Sequence, residues 1–164
     1  MPEKKTIERA HAAKRAGKSP STQAGAFVKE QIDHIREGKH GAKSAKQAIA
    51  IGLSEARRSG VGVKAPKKGA ASAATRKKAA KDTQAGQHKS GRSASTESKA
   101  KRSATSTRVL KREGSAAASH TALSKQTHRS ASRRSAADRS ASAKKGWETR
   151  RKAASKSGSA RHAR

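Results

Sequence analysis

The segment SPSTQAGAFVKEQIDHIREGKHGAKSAKQAIAIGLSEARRSGV, residues 19–61, carries the clearest helical patterning in the chain and decides its fold class. It predicts two helices. Ser19 reads as an N-cap with Pro20 at the first helical position, where a missing N–H costs nothing because that group has no intrahelical partner. Val28, Ile32 and Ile35 then recur at i, i+4 and i+7 with Phe27 alongside, so one face is apolar until Gly38 stops the helix. The second helix starts at Ser44, with Gln47 as its capping-box partner, and sets Ile49, Leu53 and Ala56 on one face. Arg57 and Arg58 complement the dipole at its C-terminal end, and Gly60 closes it. Two short helices with facing apolar stripes predict an antiparallel hairpin.

Outward from this hairpin the signals weaken. Before it, a short helix is expected from Thr6 to Gly17, with Ile7, Ala10 and Ala13 on one side. After it, composition changes near Pro66. Residues 1–63 hold 13 basic and 6 acidic side chains and 11 of the 15 large apolar ones, whereas residues 64–164 hold 28 basic and 5 acidic with only Val109, Leu110, Leu123 and Trp147. Over all 164 residues the net charge is +30, and Ile, Val, Leu and Phe number 13. That is well under the fraction of roughly 20% below which a highly charged chain is read as disordered. The 35 alanines supply helix propensity but little buried area.

The expectation is therefore an all-α protein. A short helical hairpin, with a third helix before it, occupies the N-terminal 60 residues and is followed by a largely disordered polybasic tail with transient helices. In domain terms this means an N-terminal helix or arm at 1–18, the hairpin at 19–63, and a Lys/Arg/Ala/Ser-rich tail at 64–164. Residues 70–81, 116–129 and 135–155 are the tail stretches able to become helical once their charge is neutralised. A hairpin of about forty residues barely offsets its own ordering entropy, so marginal stability or a homodimer through Ile51 and Phe27 is expected.

Several classes fall away. No Cys is present, which removes disulfide frameworks, thiolate zinc sites and thiol nucleophiles. No apolar stretch approaches the roughly 18 residues of a membrane span, and the N-terminus has no signal-peptide core, so a cytoplasmic protein is expected. Serines are plentiful, but nothing predicts a preorganised pocket around one, so neither an enzyme nor a cofactor is expected. His11, His34, His40, His88, His120, His128 and His162 are scattered without metal-ligand spacing and read as surface residues, with no metal site expected.

The charge itself points to a polyanion. Lysines and arginines neutralise phosphates and release condensed counterions whatever the base sequence. The tail candidates are Lys64, Lys67, Lys68, Arg76, Lys77, Lys78, Arg133, Arg134, Lys144, Lys145, Arg150 and Arg151. Trp147, among Lys144, Lys145, Arg150 and Arg151, is read as a wedge or stack against bases, as packing on the hairpin's apolar face, or as simply exposed. In the hairpin loop, Gly38-Lys39-His40-Gly41-Ala42-Lys43-Ser44 leads into a helix N-terminus. It resembles locally the Gly-x-x-Gly clamp of KH domains, without their sheet, and could hold a phosphate with Lys39, His40, Lys43 and Lys46. A plain helix–helix turn is the alternative. Duplex DNA is favoured over RNA, because readers of single strands stack bases on aromatics, of which this chain has only Phe27 and Trp147. Two other functions stay open: an RNA- or ribosome-associated basic protein, and a protein-interaction hairpin with exposed Phe27, Ile51 and Val63 and a polybasic tether.

The block Lys46-Gln47-Ala48-Ile49-Ala50-Ile51-Gly52-Leu53-Ser54-Glu55-Ala56 within residues 19–61, and the continuation KAPKKGAASAATRKKAA at 64–80, resemble a family of small bacterial Lys/Ala-rich, histone-like proteins. Its members are labelled DNA-binding, and their function is largely uncharacterised. The resemblance implies a bacterial origin and a place in the nucleoid. It brings no catalytic or binding residues with it.

Overall fold

In the computed structural model, which describes residues 2–87 and 96–159, Ser44 opens the second hairpin helix as its sequence demands. Its hydroxyl accepts the Gln47 amide at 3.3 Å, while the Gln47 side chain reaches back to the Lys43 amide at 2.9 Å. The hairpin consists of α2, Pro20–Arg36, and α3, Ala45–Arg58. Ser19 precedes α2 as expected, yet its hydroxyl pairs with those of Ser21 and Thr22 rather than with a backbone amide. A first helix, α1, spans Lys4–Arg15 and lies against α2.

The hairpin closes tightly at Gly52. A Cβ there would stand 2.7 Å from Val28 Cα and 2.9 Å from Val28 N, so the two backbones meet where no side chain fits. On either side lie two small cores. One gathers Ala10, Ala24, Phe27, Ala56 and Val61, with Ile7, Leu53 and Val63 packed against it. The other gathers Ile35, Ala42, Ala48, Ala117 and Ala118, with Ile32 at its edge. Phe27 is fully buried, not exposed, and Ile51 and Val63 are half-buried. α1 and the chain after α3 cover the surface that a lone hairpin would leave open.

The largely disordered tail is overturned. After α3 the described chain continues as α4, Ala73–Gln87; α5, Thr96–Lys111; a 3-10 turn, Ser115–Ala118; α6, His120–Ser132; and α7, Ala136–Ser159. No strand occurs among the described residues, and none of their helices is long and apolar enough to cross a membrane. The physical reason is twofold. Alanine, lysine and arginine are among the best helix formers. Docking here also relies on alanine and on polar anchors, which a count of large apolar residues does not register. Ala117 and Ala118 fill the space beneath Ile35. Asp82, in α4, is buried and accepts Ser54 Oγ at 2.7 Å and Arg58 Nε at 2.8 Å, pinning α4 to α3. Buried Arg57 turns the other way and holds the loop, donating to the carbonyls of Val63 and Lys64 at 3.1 and 3.2 Å.

Replacing Asp82 with alanine is expected to cost about 1–3 kcal/mol, because a buried charged acceptor and its two donors lose one another. Amide exchange over residues 73–87 should accelerate before that of α2 and α3. Unchanged protection there would mean that α4 is held by something else.

The contacts divide the chain into two units, Met1–Leu123 and Ser124–Arg164. The composition boundary near Pro66 lies inside the first. In the second, α7 starts on Ser135 as its N-cap. Ser135 Oγ accepts the Asp138 amide at 3.0 Å and donates to the Asp138 carboxylate at 2.8 Å. Arg134 extends along α7 to the Asp138 carbonyl at 2.9 Å and to the Ser142 hydroxyl.

Candidate nucleic-acid interface

The loop between α2 and α3 is built for close approach, but what approaches is the chain itself. The Gly41 amide donates to the Leu110 carbonyl at 2.9 Å and the Ala42 amide to the Gly114 carbonyl at 3.3 Å. A Cβ on Gly41 would sit 1.8 Å from the Glu113 carbonyl oxygen. The backbone donors that a phosphate clamp requires are thus occupied by the turn after α5. His40 is half-buried and structural: Nε2 faces Gln31 Oε1 at 3.1 Å and Nδ1 the Gly41 carbonyl at 3.1 Å. Lys39 Nζ pairs with Glu37 at 2.9 Å and lies 3.7 Å from Glu3, and these carboxylates, Glu37 first, raise its pKa. Lys43 and Lys46 are exposed. The Gly41 and Ala42 amides are therefore taken by the chain itself, while Lys43 and Lys46 remain as exposed side-chain charge.

The other basic candidates are presented on helices and their flanks. Lys64, Lys67 and Lys68 are exposed on the chain leading to α4, and Lys77 and Lys78 on α4 itself. Arg76 is half-buried, with its Nε shielded and without a hydrogen-bond partner. In the second unit Arg133, Arg134, Lys144, Lys145, Arg150 and Arg151 are all exposed. Trp147 is 56% exposed, and the Arg151 guanidinium lies over its ring, 4.9 Å from the centroid. At 100° per residue, Arg139, Lys144, Trp147, Arg150 and Arg151 fall within an arc of roughly 140° on α7. The helix thus has a cationic face with its one aromatic near the middle.

A polar cluster in the first unit was not anticipated. Glu3, immediately before α1, meets Glu30 and His34 of α2: His34 Nε2 stands 3.1 Å from Glu3 Oε1 and 3.9 Å from Glu30 Oε1, and the Glu3 amide donates to Glu30 Oε1 at 2.8 Å. The His34 hydrogen bond, with Lys39 nearby, holds the Glu3 carboxyl below its ordinary range. His34 and His40 pack edge to face, their centroids 6.0 Å apart. One step further in, Glu55 accepts from Gln31 Nε2 at 2.8 Å, and burial pushes its carboxyl above the usual carboxylate range. Of the remaining histidines, His11, His120 and His128 are exposed, and His88 and His162 lie outside the described residues. The spacing of Glu30 and His34, one helical turn apart, is visible in sequence. That Glu3 joins them depends on how α1 docks.

A family of unknown function, DUF6496, matches residues 11–69, which contain the whole of 19–61 and end before α4. No curated protein matches the chain, and no solved structure does.

Proposed function

We propose that the chain binds duplex DNA without sequence specificity, neutralising backbone phosphates with lysine and arginine, and coats or compacts it as a histone-like, nucleoid-associated protein of bacterial type. One observation carries this reading: the helices after α3 present exposed cations far in excess of their acids. In the second unit Asp138 and Glu148 stand against Arg133, Arg134, Arg139, Lys144, Lys145, Arg150 and Arg151, all exposed. Asp82, one of the few acids of the first unit's later part, is already engaged by Arg58. Charge left in such excess repels itself, and a polyanion relieves the repulsion while its counterions are released.

Helical presentation adds something that a flexible tail would not. Its cations keep fixed spacings, and at about 1.5 Å per residue the 24 residues of α7 span about 36 Å, close to one turn of B-DNA. Trp147 sits where it can press on a sugar or a base step, with Arg151 already stacked on it.

Counterion release works on RNA as well, so an RNA- or ribosome-associated role is the second reading. The protein-interaction alternative loses its main support, because Phe27 is buried. Competition separates the first two. With labelled random-sequence duplex bound to the full chain, unlabelled duplex should displace it at several-fold lower phosphate concentration than structured RNA. Displacement by RNA at the lower concentration would transfer the assignment to RNA.

A further inference from the structure

Among the described residues Glu30 is an unusual acid. It is 6% exposed, and its Oε2 has no hydrogen-bond partner, although an ionised carboxylate is costly to bury without one. It lines a cleft of about 100 Å³ together with Glu3, His34, Asp33 and Glu37. Four of the chain's eleven acids thus converge on one cleft in a protein of net charge +30. Lys5, Arg9, Lys29 and Lys39 line the same cleft; Lys29 pairs there with Asp33 and Lys39 with Glu37, which leaves Glu3 and Glu30 as the acids that face His34.

We propose that Glu3, Glu30 and His34 form a zinc site that clips the start of α1 to the C-terminal half of α2. The geometry fits a tetrahedral ion. Zinc with bonds of about 2.0–2.2 Å to nitrogen and oxygen needs ligand atoms about 3.3–3.6 Å apart. His34 Nε2 lies 3.1 Å from Glu3 Oε1 and 3.9 Å from Glu30 Oε1, and one ligand atom from each residue falls within 4.8 Å of the others. Glu30 and His34, at i and i+4, share one face of α2, so two ligands are fixed by the helix before any metal arrives. The Glu3 amide, bonded to Glu30 Oε1, orients that carboxylate as a supporting hydrogen bond does in established metal sites. The donor set is one imidazole and two carboxylates, with the cleft leaving room for water at the fourth position. Calcium, which takes six to eight oxygens, is poorly served by it.

Lys39 is the built-in competitor. Its Nζ lies 3.7 Å from Glu3 Oε1 and must turn fully to Glu37 when a dication enters.

The test uses the full chain, stripped with chelator and titrated with zinc by calorimetry, with cobalt(II) as a visible-absorption probe. One equivalent should bind, the cobalt form should show the intense d–d bands of a tetrahedral site, and zinc should raise the melting temperature. Glu3→Gln, at an exposed position that leaves the packing intact, and His34→Gln should each weaken binding by about tenfold or more. Lys39→Gln should tighten it. Circular dichroism of each variant confirms that the fold persists. Absence of a one-to-one site, or full affinity retained in either Glu3→Gln or His34→Gln, would overturn the assignment, the latter by placing the metal on other histidines.

Discussion

Phe27→Ala should cost about 3–5 kcal/mol and bring the hairpin close to its unfolding midpoint, since small domains have only about 5–15 kcal/mol in all. Phe27 and Ile35 are the largest fully buried side chains among the described residues. Around Phe27 stand Ala10, Ala24, Ala56 and Val61. The alanines cannot collapse into the space left behind, whereas Ile7, Leu53 and Val63 at the edge of the cluster fill part of it, so the loss falls within the range for a deleted ring. Urea denaturation followed by circular dichroism measures it directly. Val109→Ala, at a side chain that is 53% exposed, serves as the reference and should shift stability by no more than about 0.5 kcal/mol. If the two variants were equally stable, the core described for α1, α2 and α3 would be wrong.

The second large effect concerns charge. Changing Arg133, Arg134, Lys144, Lys145, Arg150 and Arg151 together to glutamine removes six exposed cations from the second unit while keeping good helix formers. If each contacts one phosphate, the slope of log affinity against log salt should become shallower by about 5 and duplex binding at moderate salt should fall on the order of a hundredfold. Circular dichroism of the variant controls for lost helix. The same count of substitutions divided between Lys39, Lys43 and Lys46 and neutral positions should do much less. Lys39 is engaged by Glu37 and Glu3, and the loop amides are engaged by the turn after α5.

What the sequence made legible follows from where its signals were local. Pro20, Gly38, Ser44 with Gln47, and the closing Arg57 and Arg58 each act within one helical turn, and the ends of α2 and α3 fall where they indicate. The same kind of signal stood at three other helix starts. Ser72, Ser119 and Ser135 accept the amides of Thr75, Ala122 and Asp138, at 3.2, 3.2 and 3.0 Å. Without an apolar stripe behind them, these caps read as ordinary serines in a serine-rich tail. α5 offered neither cap nor stripe within the described residues. The role of Asp82 was not legible, because its partners, Ser54 and Arg58, lie more than twenty residues away and become neighbours only through tertiary structure. In the Gly-x-x-Gly loop the carbonyls of Leu110, Glu113 and Gly114 come close to Gly41 and Ala42, an approach from residues some seventy positions away that local sequence does not announce. The Glu3, Glu30 and His34 cluster was illegible for the same reason as Asp82.

The most direct test of the account is the salt dependence of full-chain binding to random-sequence duplex DNA. A linear log–log plot with a slope of about −5 or steeper, equal for unrelated sequences, is the predicted result, corresponding to six or more phosphates neutralised. A slope shallower than about −2, or affinity that changes strongly with sequence, would contradict it.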